Sequence, residues 1–127
     1  MDLLDTQIHS IIGPDGFHRL AAAFFKRVAT DDILSNIYPK DDLAGAEDRL
    51  RGFLIQRFGG PDDYSRERGH PRLRMRHAPF RIDIAARDRW VQQMDAALTE
   101  SNFPPAVTRL LTSFFSDSAT FMINTES

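Results

Sequence analysis

Cysteine is absent from all 127 residues, which excludes disulfides, thiolate zinc sites, iron–sulfur clusters and cysteine nucleophiles. Long apolar runs are missing too; none approaches the roughly 20 residues that a membrane span requires. The opening Met1-Asp2-Leu3-Leu4-Asp5 lacks the basic-then-apolar order of a signal peptide, so a cytoplasmic location is the default expectation. Positive charge is not in excess: 16 Lys and Arg stand against 18 Asp and Glu, for a formal net charge of −2. That balance removes the simplest argument for a nucleic-acid partner. Histidine pairs with metal-binding spacing are also lacking. Of His9, His18, His70 and His77, no two lie three or four apart, so a zinc or di-iron site built from protein alone is not expected.

The residues that are present describe an ordinary globule, 42% hydrophobic and 27% charged, of a length that fits one domain over residues 1–127. Apolar residues recur at helical spacing in several segments. Phe17, Leu20, Ala21, Phe24, Phe25 and Val28 follow the breakers Gly13-Pro14-Asp15-Gly16. A short piece from Ile33 to Ile37 ends at Tyr38-Pro39, because a residue before proline is pushed out of the helical region. Asp41 or Asp42 can cap the next helix, which runs through Leu43, Ala46, Leu50, Phe53 and Leu54 and stops at Gly59-Gly60-Pro61. Residues 61–79 hold three prolines, Gly69 and many charges. They are expected to be mostly loop, with one short helix near Leu73 to His77, and loops this long are often functional.

Asp83 caps a helix carrying Ala86, Trp90, Met94, Ala97 and Leu98. Pro104-Pro105 then opens the last helix, where proline suits a first turn, with Val107, Leu110, Leu111, Phe114, Ser118 and Phe121 on one face. No segment alternates at period two, which predicts an all-α fold. Four substantial helices fit a plain bundle. The unequal connections, and the long, basic, proline-rich third one, argue against it.

Two readings of His77 stay open on the residues alone. It is either a surface histidine in a basic loop or a lone ligand to an iron whose other ligands a porphyrin supplies. Pro79 ends the short helix just beyond it, and free carbonyls at a helix end suit the second ring proton of a ligating imidazole. The arginines around it match carboxylates through planar contacts. Trp90, the single tryptophan, either fills core or aims its N–H at an acceptor. Tyr38 is either a boundary residue or a second donor into a cavity. Asp41, Asp42 and Glu47 at a helix start read as favourable partners of the dipole rather than as acid–base groups. Gly59-Gly60-Pro61 follows a helix and lacks the Lys and Ser/Thr of a phosphate loop.

Taken in order, several motifs resemble group II of the truncated haemoglobins. They are Tyr38-Pro39-Lys40-Asp41-Asp42-Leu43-Ala44-Gly45-Ala46-Glu47, Gly59-Gly60-Pro61, Tyr64-Ser65, Gly69-His70-Pro71-Arg72-Leu73, Arg74-Met75-Arg76-His77-Ala78-Pro79-Phe80 and Trp90. The resemblance implies a two-over-two helical sandwich around haem b, the truncated globin fold, with His77 as the proximal ligand to iron. It implies cofactor contacts from Tyr38, Arg49, Leu50, Tyr64, Arg76, His77 and Trp90, with Arg49 near a propionate. Phe25, Tyr38, Ala46, Leu50 and Trp90 become the ligand pocket, Trp90 and Tyr38 being its donors and Ala46 standing where many globins place a gating histidine. Many relatives carry tyrosine at the position of Phe25. The function implied is reversible binding of dioxygen and other diatomic ligands by a monomer or homodimer, with no nucleic-acid or membrane partner. The alternative is a redox enzyme, a nitric oxide dioxygenase or peroxidase-like protein, served by an external reductase.

Overall fold

Five α-helices and one 3-10 turn order the described residues of the computed structural model, which are 3–69, 72, 75, 77 and 80–125; no strand occurs among them. They are α1 (Leu3–Val28), the 3-10 turn (Leu34–Asn36), α2 (Leu43–Arg57), α3 (Asp63–Arg68), α4 (Ile84–Ser101) and α5 (Pro105–Phe121). None is long and apolar enough to cross a membrane.

α1 is two helical pieces joined at Gly13, whose φ of 69° and ψ of 173° interrupt the ladder. Pro14 comes next, where a missing N–H costs nothing at the start of a new helical run. Periodicity says little about residues 3–12, yet they are helical. Ile8 anchors them in the core, and the His9 N–H donates to the Phe58 carbonyl at 2.9 Å. The second piece buries Phe17, Leu20, Ala21, Phe24, Phe25 and Val28, as their spacing predicts. Gly59 lets α1 approach the end of α2 closely. Its φ is 102°, and a Cβ there would collide with the Thr6 carbonyl oxygen.

Asp83 and Pro105 behave as expected: the Asp83 carboxylate accepts from the Ala86 N–H at 2.8 Å, and Pro105 opens α5. Asp42 stands at the cap position of α2, but its side chain makes no bond to the first turn. Its carboxylate turns instead to Arg49, 3.3 Å away. The expected loop over 61–79 is corrected at α3. Asp63 lies in its first turn and Arg66 and Arg68 in its last, which suits the helix dipole, and Arg66 ion-pairs with Asp62 and Asp63. α3 is also tied to α2, because the Gln56 amide accepts from the Ser65 N–H at 2.8 Å and donates to the Ser65 hydroxyl at 2.7 Å. Met75 and His77 carry helical backbone, in keeping with a short helix there; His70, Leu73 and Arg76 lie outside the described residues.

α1 packs against both α2 and α4, and α4 pairs with α5, so that α1 and α2 lie over α4 and α5. Phe17, Phe24, Leu54, Phe58, Met94, Leu98 and Leu111 fill the interior without exposure. One end of this sandwich is not filled.

Candidate functional site

A cavity of about 540 Å³ opens between the two layers, within the range of small-molecule sites. α2 presents Ala46, Arg49, Leu50, Phe53 and Leu54 to it, a set at the three- and four-residue spacings of one helix face. α1 contributes Phe25, α3 Tyr64 and Arg68, α4 Ala86, Arg87 and Trp90, and α5 Phe114, Phe115 and Ser118. Tyr38 enters from the segment after the 3-10 turn and His77 from the proline-rich connection. The structure therefore brings Phe25, Tyr38, Ala46, Arg49, Leu50, Tyr64, His77 and Trp90 to one cavity, while Arg76 lies outside the described residues. Phe53 and Ser118, named from the sequence only as members of helix faces, line it as well, as do Arg68 and Arg87, which the sequence reading did not assign to the site. Arg87 and Ser118 had a usable signal, lying three before Trp90 and four after Phe114 on the same faces.

Trp90 Nε1 donates to Tyr38 Oη at 3.0 Å. The pair is walled by phenyl rings: Phe24 and Phe115 lie 5.1 and 5.6 Å from the indole, and Phe25 meets the Tyr38 ring edge-on at 5.2 Å. Burial pushes the Tyr38 hydroxyl pKa up, the bond from Trp90 acting in the opposite sense. At neutral pH Tyr38 is therefore an intact O–H group.

Three guanidinium groups, of Arg49, Arg68 and Arg87, also line the wall. Arg49 pairs with Asp42, and the Arg68 guanidinium sits 5.9 Å from the Tyr64 ring centre. Arg87 is held between Thr120 Oγ1 at 3.0 Å, Ser116 Oγ at 2.8 Å and Asp88 at 3.0 Å. An apolar chamber edged by guanidinium groups suits a ligand with an apolar body and anionic substituents. Among the described residues His77 is the only His, Cys, Asp or Glu on the wall, and no group of three such residues can hold a bare ion. A metal here would have to bring most of its own ligands. Haem would meet these conditions, since it has an apolar ring, carboxylates for the arginines and an iron that a single imidazole could hold.

Asp31 links the segment that leads to Tyr38 with the helix that carries Trp90. One carboxylate oxygen accepts from the Ile33 and Leu34 N–H groups, both at 2.9 Å, at the start of the 3-10 turn that leads to Tyr38. The other accepts from Arg89 at 3.0 Å and Gln93 at 2.8 Å on α4, beside Trp90. Desolvation of this buried carboxyl would raise its pKa. The Leu34 amide, Arg89, Gln93 and the Ile33 amide outweigh it and bring the pKa down to about 2, from an ordinary 3.8. A pKa lower in the folded than in the unfolded chain contributes stability that is complete above about pH 4 and lost as pH falls toward 2. The gap corresponds to about 2 kcal/mol. Asp31→Asn is accordingly expected to lower unfolding free energy by about that amount at pH 7 and by much less near pH 2; urea melts at both pH values check it.

The family model described as bacterial-like globin matches residues 7–124. A thermostable haemoglobin from the actinobacterium Thermobifida fusca superposes with a TM-score of 0.91 at 43% identity, over 96% of this chain and 99% of that one. The group II truncated haemoglobin of Bacillus anthracis gives 0.91 at 30% identity, over 96% and 98% of the two chains. The group 2 truncated haemoglobin YjbI of Bacillus subtilis is 33% identical over 116 residues, covering 91% of this chain and 87% of that protein. With α1 and α2 laid over α4 and α5, the chain belongs to the bacterial-like globins and has the two-on-two fold of the truncated haemoglobins.

Proposed function

We propose that residues 1–127 form one globin domain that binds haem b through His77 and reversibly takes dioxygen or another diatomic ligand beside Trp90 and Tyr38. The observation that carries this reading is a largely apolar cavity with, among the described residues, one imidazole, guanidinium groups and a hydrogen-bonded donor pair on its wall. Haem, when bound, supplies an open coordination position for a small gas. The chain supplies the selectivity. An indole has a single N–H, and here it is given to the Tyr38 oxygen, so the hydrogen left free for a ligand is that of the Tyr38 hydroxyl. Trp90 orients this hydroxyl, and the phenyl rings around the pair keep the local dielectric low, where a fixed donor is worth more to a polarised ligand. Phe25 adds no hydroxyl, and Ala46 leaves α2 without a side-chain gate. Arg49, Arg68 and Arg87 are the groups that would meet carboxylates at the edge.

Absorption spectra of the purified chain titrated with haem test the reading. A sharp Soret band that shifts with carbon monoxide after reduction is expected. A spectrum indistinguishable from that of free haem would overturn it.

A further inference from the structure

Asn124 lies just past α5 and is tied to the segment that carries His77. Its backbone N–H donates to the Ile82 carbonyl at 3.0 Å, and its side-chain oxygen accepts from the Ile82 N–H at 2.9 Å. Its amide nitrogen donates to the Phe80 carbonyl at 2.9 Å and to the His77 carbonyl at 3.4 Å. The Phe80 N–H also donates to that His77 carbonyl, at 2.9 Å. One exposed side chain thus grips residues 77, 80 and 82 together, immediately before the Asp83 cap of α4.

We propose that Asn124 is a positioning residue for the proximal histidine. By holding the His77 carbonyl against the corner where α4 begins and α5 ends, it sets where the imidazole enters the cavity. The inference rests on the reading of His77 as the haem ligand. The chemistry demands an amide. The Ile82 N–H only donates, so an oxygen must face it; the Phe80 and His77 carbonyls only accept, so a donor must face them. Aspartate has the same shape but would turn a second carboxylate oxygen toward two carbonyls. Leucine offers neither half of the grip. Asn124 itself is not among the residues that line the cavity, so a change there alters the ligand only by moving the segment that bears it.

Two variants, Asn124→Asp and Asn124→Leu, separate positioning from simple support. In the haem-free chain, amide exchange at Ile82 reports whether the grip has opened. In the loaded protein, the haem transfer rate to an acceptor globin and the iron–histidine vibrational band report where the imidazole sits. Losing two of these side-chain bonds in Asn124→Asp and all three in Asn124→Leu is expected to speed Ile82 exchange and haem transfer by about tenfold or more, and to shift or broaden the band. Support alone would lower the melting temperature and leave the band in place. Unchanged haem transfer and an unchanged band in both variants, whatever exchange does, would overturn the proposal while leaving His77 as ligand. Haem held by His77→Gly as tightly as by the native chain would instead overturn the ligand assignment beneath it.

Discussion

His77→Gly is expected to weaken haem retention by more than about a hundredfold, since even a partner that only orients a metal ligand is worth 10- to 100-fold. No second imidazole or carboxylate lines the cavity among the described residues. The apolar wall and the arginines remain, and haem is expected to bind loosely and exchange freely. Added imidazole should restore a native-like spectrum, because glycine leaves the space that the ring occupied. This rescue distinguishes a lost ligand from a collapsed fold. Haem transfer kinetics with and without imidazole are the measurement. Tight retention in the glycine variant alone would remove His77 from the role.

Substitution of the donor pair is the second large effect. Tyr38→Phe removes the only free O–H of the pair, and a hydrogen bond to a polarised acceptor contributes roughly 1.5–3 kcal/mol. Dioxygen is then expected to leave roughly ten- to a hundredfold faster. Trp90→Phe keeps that hydroxyl but removes the 3.0 Å bond that aims it, so its effect should be the smaller one. In Tyr38→Phe the indole N–H loses its acceptor and becomes free to turn toward the ligand. The double substitution is therefore expected to exceed either single change, and the two effects will not simply multiply. Carbon monoxide is the control, since it is less polar when bound and gains less from a donor. Stopped-flow dissociation of both gases decides the matter. Equal acceleration of both would point to altered packing, and no acceleration would remove the pair from ligand stabilisation.

α2, α4 and α5 were legible because their signals are local. Apolar spacing, the Asp83 cap and the Pro105 start all act within a turn or two. The order of motifs from Tyr38 to Trp90 pointed to one cavity, which the eight described site residues do share. Residues 3–12 were not legible, because their helix is held by contacts made elsewhere, at Phe58 and across Gly59. α3 was hidden by its charges, which read as loop until they are seen pairing along one helical turn. Spacing alone cannot show that the Trp90 indole donates to the Tyr38 oxygen, so how the two donors are coupled was not legible. Asp31 and Asn124 escaped notice for a plainer reason. Their decisive partners lie 58 and 42 residues away, and nothing in either neighbourhood announces them.

The hydrogen bond between Trp90 and Tyr38 gives this chain a built-in optical reporter. Trp90 is its only tryptophan and lies on the cavity wall, so all indole emission comes from one place of known surroundings. A strongly absorbing occupant of the cavity would quench that emission by energy transfer at contact range. Loading can therefore be followed without a label, and the emission maximum of the empty protein reads the polarity of the chamber itself.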